Sequence, residues 1–184
     1  MEKTAKLYEA TSEILVTKEE IAQAVRKVGA MITADYEGQE VVVVCILKGA
    51  SIFYCDLIRE LDLPITEDFM IVSSYGDGTS STGNVRIRKD LDNDIAGKHV
   101  LIVEDIVDTG TTLNFLRNIL KDRGAASIKI ATLLDKPSRR TVDLKADYFC
   151  FTIPNAFVVG YGLDYAEKYR NLPDICVLKP EIYS

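Results

Sequence analysis

The chain has 184 residues, 47% of them hydrophobic and 27% charged, and this composition predicts one globular domain spanning residues 1–184. Its net charge of −6 argues against a general nucleic-acid binder and against binding to anionic membranes, because both favour an excess of Lys and Arg. The sequence has neither the apolar core of a signal peptide nor an apolar run of membrane length, so we expect a cytoplasmic protein.

The first part of the chain carries the signals of a helix, a strand and a second helix. Thr17 and Glu20 have the spacing of a capping box at a helix start. Apolar residues then recur at helical spacing and are expected to face a core: Ile21, Ala24, Val25, Val28, Met31 and Ile32. The β-branched run at 41–47 predicts a strand that is buried on both faces, and residues 51–61 predict a helix.

The rest of the chain continues this alternation of strands and helices. Further strands are predicted at 69–74, 100–103, 127–134 and 148–152, with a helix at 113–120. Such an order predicts an α/β fold with a mostly parallel sheet flanked by helices and joined by right-handed crossovers.

Residues 75–90 fit no element. Gly, Ser and Thr dominate between Gly76 and Gly83, and residues of this kind cannot build a core. We therefore predict a mobile surface loop at 75–90. Loops of this length within compact domains often act as lids over a site.

Residues 99–112 are the most informative segment. An apolar run ends in two adjacent carboxylates, Glu104 and Asp105, and a turn of small residues at 108–112 then leads into a helix. The start of a helix favours a phosphate, whereas the two acids would repel one and bind hydroxyl groups or a cation instead. The segment thus predicts a ligand that carries a phosphate beside a diol, and ribose 5-phosphate is the simplest such ligand.

The same segment carries a family resemblance. Residues 100–112, Val-Leu-Ile-Val-Glu-Asp-Ile-Val-Asp-Thr-Gly-Thr-Thr, resemble the phosphoribosyl-pyrophosphate signature of the type I phosphoribosyltransferases, and more narrowly the chain resembles the hypoxanthine-guanine group. The resemblance runs from about Leu15 to about Val177. It implies the type I phosphoribosyltransferase fold, with a small hood formed by about 1–16 and 150–184 and a flexible lid loop that opens with Ser74 and Tyr75. It also implies purine salvage: transfer of a phosphoribosyl group to hypoxanthine or guanine, giving IMP or GMP and pyrophosphate.

By this resemblance, one set of residues binds phosphoribosyl pyrophosphate. Glu104 and Asp105 would hold the ribose hydroxyls, and the turn would wrap the 5-phosphate through Asp108, Thr109, Gly110, Thr111 and Thr112. Asp108 would also be the catalytic residue, either as the proton acceptor for purine N7 or as an electrostatic stabiliser of the positive purine, and the sequence leaves both roles open. Lys48 and Gly49 match the pyrophosphate loop, in which the peptide before the lysine can be cis.

The resemblance further implies a magnesium ion. Carboxylates suit Mg²⁺, and those matching the family's metal side are Glu104, Asp105 and Asp164. Arg170 matches the arginine that binds pyrophosphate, where its planar fork can bind two phosphate oxygens.

The remaining matches concern the purine. Lys136 would donate to a 6-oxo group and so reject adenine, whose 6-amino group is itself a donor. Phe157 would stack on the purine ring, and the Val158 backbone, with Asp164 nearby, would meet its Watson–Crick edge. Many relatives carry a charged residue at the position of Ala156, so nothing is carried over for the outer rim of the base pocket.

Three alternatives stay open in the sequence. One is a 6-oxopurine enzyme that also accepts xanthine. Another is a nucleotide-sensing regulator on the same fold, and a third is a receiver-type doubly wound domain, which explains neither the loop nor the Asp164 and Arg170 motif. The resemblance also implies a homodimer or homotetramer, although no residue pattern in the chain indicates which.

Overall fold

The strands and helices alternate along most of the chain. The computed structural model describes residues 5–75 and 84–184. Its helices are α1 (Ala5–Tyr8), α2 (Lys18–Asp35), α3 (Ser51–Ile58), α4 (Thr111–Asp122) and α5 (Pro180–Tyr183), with a 3₁₀ turn at Pro137–Arg139. Its strands are β1 (Thr11–Val16), β2 (Val41–Leu47), β3 (Ile65–Tyr75), β4 (Asn84–Lys89), β5 (His99–Val107), β6 (Ser127–Asp135), β7 (Tyr148–Thr152), β8 (Val158–Val159) and β9 (Ile175–Leu178).

A six-stranded sheet with the order β4-β3-β2-β5-β6-β7 forms the centre of the molecule. Every neighbouring pair is parallel except β3 and β4. This confirms the predicted α/β class with a mostly parallel sheet. The chain runs outward from β2 to β3 in one direction and from β5 through β6 to β7 in the other, so the strand order reverses between β2 and β5.

Strand β2 is buried on both faces, as its β-branched sequence predicted. Val41, Val43 and Cys45 contact a core that also contains buried residues of α2 and α3. The alternate residues, Val42 and Val44 among them, contact a second core that contains the buried face of α4. The sheet is therefore covered by helices on both sides. Because β2, β3, β5, β6 and β7 are parallel, the loops that follow them lie at the same edge of the sheet.

Helix α2 begins as the sequence predicted. The Thr17 side chain accepts from the Glu20 backbone N–H, and the Glu20 carboxylate accepts from the Thr17 N–H at 2.8 Å, which completes the capping box. The inward face is confirmed at Ile21, among others, but Met31 is 46% exposed, so its expected core position is wrong. Met31 lies next to Ile32, which takes the buried place on this turn.

Several predicted boundaries differ from the structure. Strand β3 begins at Ile65 rather than at 69, and helix α3 ends at Ile58 rather than at 61. Strand β5 does not end at residue 103 but continues through the two acids, because its pairing with β6 extends to Val107 and Asp135. Part of the predicted loop at 75–90 is strand β4, which pairs with β3 in the antiparallel sense. Residues 76–83, the remainder of the predicted lid, lie outside the described residues.

A second, three-stranded antiparallel sheet is built from segments near both ends of the chain, in the order β1-β9-β8. We call it the terminal sheet. The Asp174 carboxylate ties it to helix α2, because Oδ1 accepts from the Lys18 backbone N–H at 2.7 Å while the second oxygen accepts from the Tyr8 hydroxyl. Among the described residues no helix combines the length and the apolar character needed to cross a membrane.

Candidate active site

A cleft of about 340 Å³ opens where the strand order reverses between β2 and β5. Ligands of open α/β sheets bind at this kind of edge, beyond the carboxyl ends of the strands. We call it the phosphate cleft. The predicted residues that line it are Lys48, Gly49, Glu104, Asp105, Asp108, Thr109, Gly110, Thr112, Asp164 and Arg170. Thr111 is in the first turn of α4 but does not line the cleft.

The loop after β2 is tightly packed against β5. The Leu47–Lys48 peptide bond is cis, as the resemblance implied. A Cβ on Gly49 would overlap Oδ2 of Asp105, so only glycine lets the loop lie beside that carboxylate. A Cβ on Gly162, whose φ is +102°, would overlap the carbonyl oxygen of Gly49 from the other side. The sequence did not single out Gly162, because its constraint is a contact with a residue distant in the chain.

Glu104 and Asp105 lie side by side near the end of β5. The Asp105 backbone N–H donates to Oε1 of Glu104 at 3.1 Å. Removal from water, together with the charge of Asp105, raises the pKa of Glu104 well above its usual range. Removal from water also raises the pKa of Asp105, although Arg170 acts in the opposite sense. A hydroxyl donor or a cation at this point would favour the ionised forms of both acids.

The turn before α4 has the geometry of an anion site. Gly110 adopts a left-handed backbone with φ of +82° and precedes the helix without a side-chain cap. The Thr109 hydroxyl accepts from the Thr111 N–H at 3.4 Å, and the Thr109 carbonyl accepts from the Thr141 N–H at 3.0 Å. The turn thus presents an uncapped helix start to the cleft, where backbone N–H groups favour a phosphate.

Two arginines at the end of the 3₁₀ turn hold Asp108, and the sequence did not identify either. Arg139 donates from Nε to Oδ1 of Asp108 at 2.8 Å. Arg140 donates from Nε to the Asp108 carbonyl at 3.1 Å and forms an ion pair with Asp135 at the end of β6. The side chain and the backbone of Asp108 are therefore fixed by different arginines.

The pyrophosphate candidates form an ion-pair network. Arg170 donates to the Gly162 carbonyl at 2.8 Å and pairs with Asp164 at 2.9 Å. Glu167, which the sequence did not single out, accepts from Lys48 at 3.1 Å and from Arg170 at 3.3 Å. These two cations lower the pKa of Glu167, Lys48 more than Arg170. Nε of Arg170 is buried and has no hydrogen-bond partner among the described residues, so it is available to an oxygen of a ligand.

The three predicted metal ligands, Glu104, Asp105 and Asp164, do not form a preorganised metal site. Residues 5–75 and 84–184 contain no group of three or more Asp, Glu, His or Cys side chains arranged to hold a metal ion. Asp164 is instead paired with Arg170. The adjacent acids Glu104 and Asp105 still suit Mg²⁺, which takes one or two carboxylates and completes its shell with water and phosphate oxygens. The shared site of all three acids stays a prediction.

A second cleft of about 520 Å³ adjoins the first, because both are lined by Asp105, Asp108 and Asp164. We call it the base cleft. Lys136, Phe157 and Val158 line it, as do Arg139 and Tyr183, which the sequence did not identify. The two clefts form one continuous groove with Asp108 at their junction.

Lys136 is the buried cation of the base cleft, at 7% exposure. Its ammonium donates to the Ala156 carbonyl at 2.6 Å. Burial lowers the pKa of Lys136, whereas the nearby Asp108 acts to raise it. Phe157 is 38% exposed, so much of its ring is open to a ligand. Of the predicted lid residues, Ser74 and Tyr75 are the last residues of β3, and their side chains lie outside the description.

The sequence and the fold resemble those of known proteins. Residues 11–166 match the family model described as the phosphoribosyl transferase domain. The chain belongs to the phosphoribosyltransferase family. Among curated relatives of this phosphoribosyltransferase, the hypoxanthine-guanine phosphoribosyltransferase of Streptococcus pneumoniae is 57% identical over 172 residues, which cover 94% of this chain and 96% of the relative. That of Streptococcus thermophilus is 53% identical with the same coverage.

Solved structures give the same result for the fold. A crystal structure of hypoxanthine phosphoribosyltransferase from Staphylococcus aureus superposes with a TM-score of 0.96 at 50% identity, covering 100% of both chains. The Trypanosoma cruzi hypoxanthine phosphoribosyltransferase, solved as a point mutant in a ternary substrates complex, has a TM-score of 0.91 at 46% identity and covers 96% of this chain. These structures confirm the type I phosphoribosyltransferase fold and the enzyme class.

Proposed function

We propose that this phosphoribosyltransferase transfers the phosphoribosyl group of phosphoribosyl pyrophosphate to hypoxanthine or guanine, giving IMP or GMP and pyrophosphate. The observation that carries the proposal is the continuous groove with Asp108 at its middle. One end presents an uncapped helix start and cations, and the other presents a buried lysine beside an exposed aromatic ring. The names of the relatives from Streptococcus and Staphylococcus support the same substrates.

The phosphate cleft would bind the sugar and its phosphates. Glu104 and Asp105 accept from the ribose hydroxyls, since ionised carboxylates are pure acceptors. The turn at 108–112 surrounds the 5-phosphate. Lys48 and Arg170 bind pyrophosphate, and for this they exchange the Glu167 carboxylate for phosphate oxygens. This exchange replaces one anionic partner by another, so Lys48 and Arg170 each have an anionic partner both with and without bound pyrophosphate.

Asp108 would act on the base. The anomeric carbon reacts through a state in which positive charge develops on the sugar and, as the glycosidic bond forms, on the purine. A carboxylate at the junction of the two clefts is placed to stabilise that charge or to accept the N7 proton, whose acidity rises as the bond forms. Arg139 must release Oδ1 of Asp108 for a proton to be accepted there.

Base selection would depend on Lys136. In the absence of a ligand its ammonium donates to the Ala156 carbonyl, and a 6-oxo group offers it a second acceptor. The 6-amino group of adenine is itself a donor, so it would face the Lys136 ammonium without forming a hydrogen bond. A buried donor left unpaired in this way disfavours adenine strongly. Phe157 supplies the stacking surface, and the Val158 backbone meets the Watson–Crick edge.

The proposal includes Mg²⁺ at Glu104 and Asp105, with Asp164 on the pyrophosphate side. When bound, the ion would neutralise negative charge on the departing pyrophosphate.

We also propose that the enzyme is cytoplasmic and assembles as a homodimer or homotetramer. The terminal sheet would form the hood over the base, and the segment at 75–90 would contribute the lid.

The test is an assay with phosphoribosyl pyrophosphate and Mg²⁺ that offers hypoxanthine, guanine, xanthine and adenine separately. We expect conversion of the first two, no conversion of adenine, and loss of activity when the metal is chelated. Conversion of xanthine as well would broaden the specificity without changing the mechanism. If nucleotide binds but no base reacts, the chain is a nucleotide sensor and the proposal fails.

A further inference from the structure

The penultimate residue of the chain reaches the base cleft. The ring of Tyr183 stacks on the ring of Phe157, with centroids 4.8 Å apart and an angle of 21° between the planes. Tyr165 contacts the same Phe157 ring edge-on, at 5.6 Å and 86°. The ring centroids of Tyr165 and Tyr183 are 6.4 Å apart, so the three rings form one aromatic cluster.

Backbone hydrogen bonds fix the position of Tyr183 relative to Phe157. The Leu178 N–H donates to the Phe157 carbonyl at 2.8 Å, where β9 runs beside β8. The Lys179 N–H donates to the Ala10 carbonyl at 3.0 Å, and its ammonium donates to the Glu9 carbonyl at 2.8 Å. Helix α5 therefore begins from an anchored residue, and one turn later Tyr183 lies over Phe157.

A stacked ring covers one face of Phe157, and a planar ligand must use the other. Phe157 nevertheless keeps 38% of its surface exposed, which leaves room for such a ligand in the base cleft that both rings line. Two faces of one aromatic ring can each hold a partner in an offset stack. An unsupported ring just before the two-residue strand β8 would have more freedom to rotate than one packed against Tyr165 and Tyr183.

We propose that Tyr183 is a positioning residue for the purine: it packs on the face of Phe157 opposite the base and holds that ring in the stacking orientation. The inference rests on the proposed function, since it takes the ligand of the base cleft to be a purine. It gives the C-terminal helix a role in base affinity that is separate from the chemistry at Asp108.

The experiment compares two ligands that differ only by the base. The dissociation constants of GMP and of ribose 5-phosphate are measured by calorimetry for the wild-type chain, Tyr183→Ala, Tyr183→Phe and the control Ile182→Ala. Ile182 lies on the same helix, is 37% exposed and is not a member of the aromatic cluster.

We expect Tyr183→Ala to weaken GMP binding by about two- to tenfold, the range of an aromatic pair, and to leave ribose 5-phosphate binding unchanged. Tyr183→Phe keeps the ring and should keep the affinity, as should Ile182→Ala. In turnover, Tyr183→Ala should raise the KM for hypoxanthine and leave kcat and the KM for phosphoribosyl pyrophosphate unchanged.

Unchanged or tighter GMP binding in Tyr183→Ala overturns the inference, and tighter binding would mean that Tyr183 occupies the place of the base. Equal weakening of both ligands also overturns it, since that is the signature of a general structural defect. A wild-type chain that binds GMP but converts no base contradicts the proposed function alone, because the two dissociation constants still decide the role of Tyr183.

Discussion

In the proposed reaction, the chemistry of the groove depends on Asp108. It lies where the phosphate and base clefts meet, and Arg139 and Arg140 fix its side chain and its backbone separately. A neutral amide in the same place would preserve the shape of the site but remove the negative charge and the ability to accept a proton. The two roles that the sequence left open both require that charge.

We expect Asp108→Asn to reduce kcat by about 10²- to 10⁴-fold, the usual contribution of a positioned acid or base. The Kd for phosphoribosyl pyrophosphate should change little, because in the proposed binding mode the 5-phosphate is bound through backbone N–H groups of the turn. Steady-state kinetics combined with calorimetry separates the two quantities. A variant with near wild-type kcat would show that neither role belongs to Asp108.

The proposed role of Lys136 in base recognition can be tested separately from the chemistry at Asp108. Its hydrogen bond to the Ala156 carbonyl shows that the ammonium is already oriented within the base cleft. Lys136→Ala should lower kcat/KM for hypoxanthine by about ten- to a hundredfold, which corresponds to loss of one charged hydrogen bond. Discrimination against adenine should weaken as well.

The matched control for this variant is Lys145→Ala, which removes an exposed lysine from the loop that precedes β7. Both variants change the net charge equally, so a difference between them belongs to the base cleft. Equal kcat/KM values for hypoxanthine in the wild type and in Lys136→Ala would remove Lys136 from base recognition.

At the scale of single elements, the sequence predicts best where the burial pattern is simple. Strand β2 is buried on both faces, so an unbroken β-branched run identified it with correct ends. Strands β8 and β9 have only two and four residues, which is too short for a periodic pattern to be recognised. Strand β5 extends past the acids because its pairing with β6 continues, and no local signal reports that pairing.

The residues of the candidate site likewise fall into those that a local sequence pattern indicates and those that only the tertiary fold brings in. Candidates that belong to one contiguous motif, such as Glu104 and Asp105, could be proposed from the sequence, and both line the phosphate cleft. Arg139, Glu167 and Tyr183 were not proposed, because each reaches the candidate site through a contact with a residue far away in the chain. Such contacts follow from the tertiary fold and leave no spacing pattern to read.

The capping box of α2 provides a test at the element scale. Thr17→Ala removes the acceptor for the Glu20 N–H and should lower the free energy of unfolding by about 1 kcal/mol. For a chain of this size that corresponds to a drop in Tm of about 2–4 °C. Activity should remain, because no residue of α2 lines the phosphate cleft or the base cleft. The control is Gln23→Ala, an exposed position on the same helix, which should leave Tm nearly unchanged. A Thr17→Ala variant as stable as this control would show that the cap contributes nothing.

At the scale of the whole molecule, the segment that connects β8 and β9 of the terminal sheet meets the central sheet at the candidate active site. Gly162 follows β8 in the chain, and its carbonyl accepts from Arg170. It lies against the Gly49 carbonyl in the loop after β2. Asp174 joins the same region to α2 through the Lys18 N–H. The phosphate cleft therefore takes one wall from the central sheet and the other from the segment between β8 and β9, which supplies Asp164 and Arg170. Its geometry depends on how closely the two approach.

Gly162→Ala tests this junction, because the added methyl group would meet the Gly49 carbonyl and because φ at this position is +102°. Gly97→Ala is the matched control: Gly97 also has a positive φ, +74°, but an added Cβ would have nothing within 4 Å. The control should lower the free energy of unfolding by about 1 kcal/mol through backbone strain alone and leave activity intact. Gly162→Ala should cost a further 1–3 kcal/mol or so, as overpacking does, and should raise the KM for phosphoribosyl pyrophosphate. Urea unfolding and steady-state kinetics measure both effects. If the two variants behave alike, strain at glycine rather than the contact between Gly162 and the Gly49 carbonyl governs this region, and the phosphate cleft tolerates a wider separation of its walls than we infer.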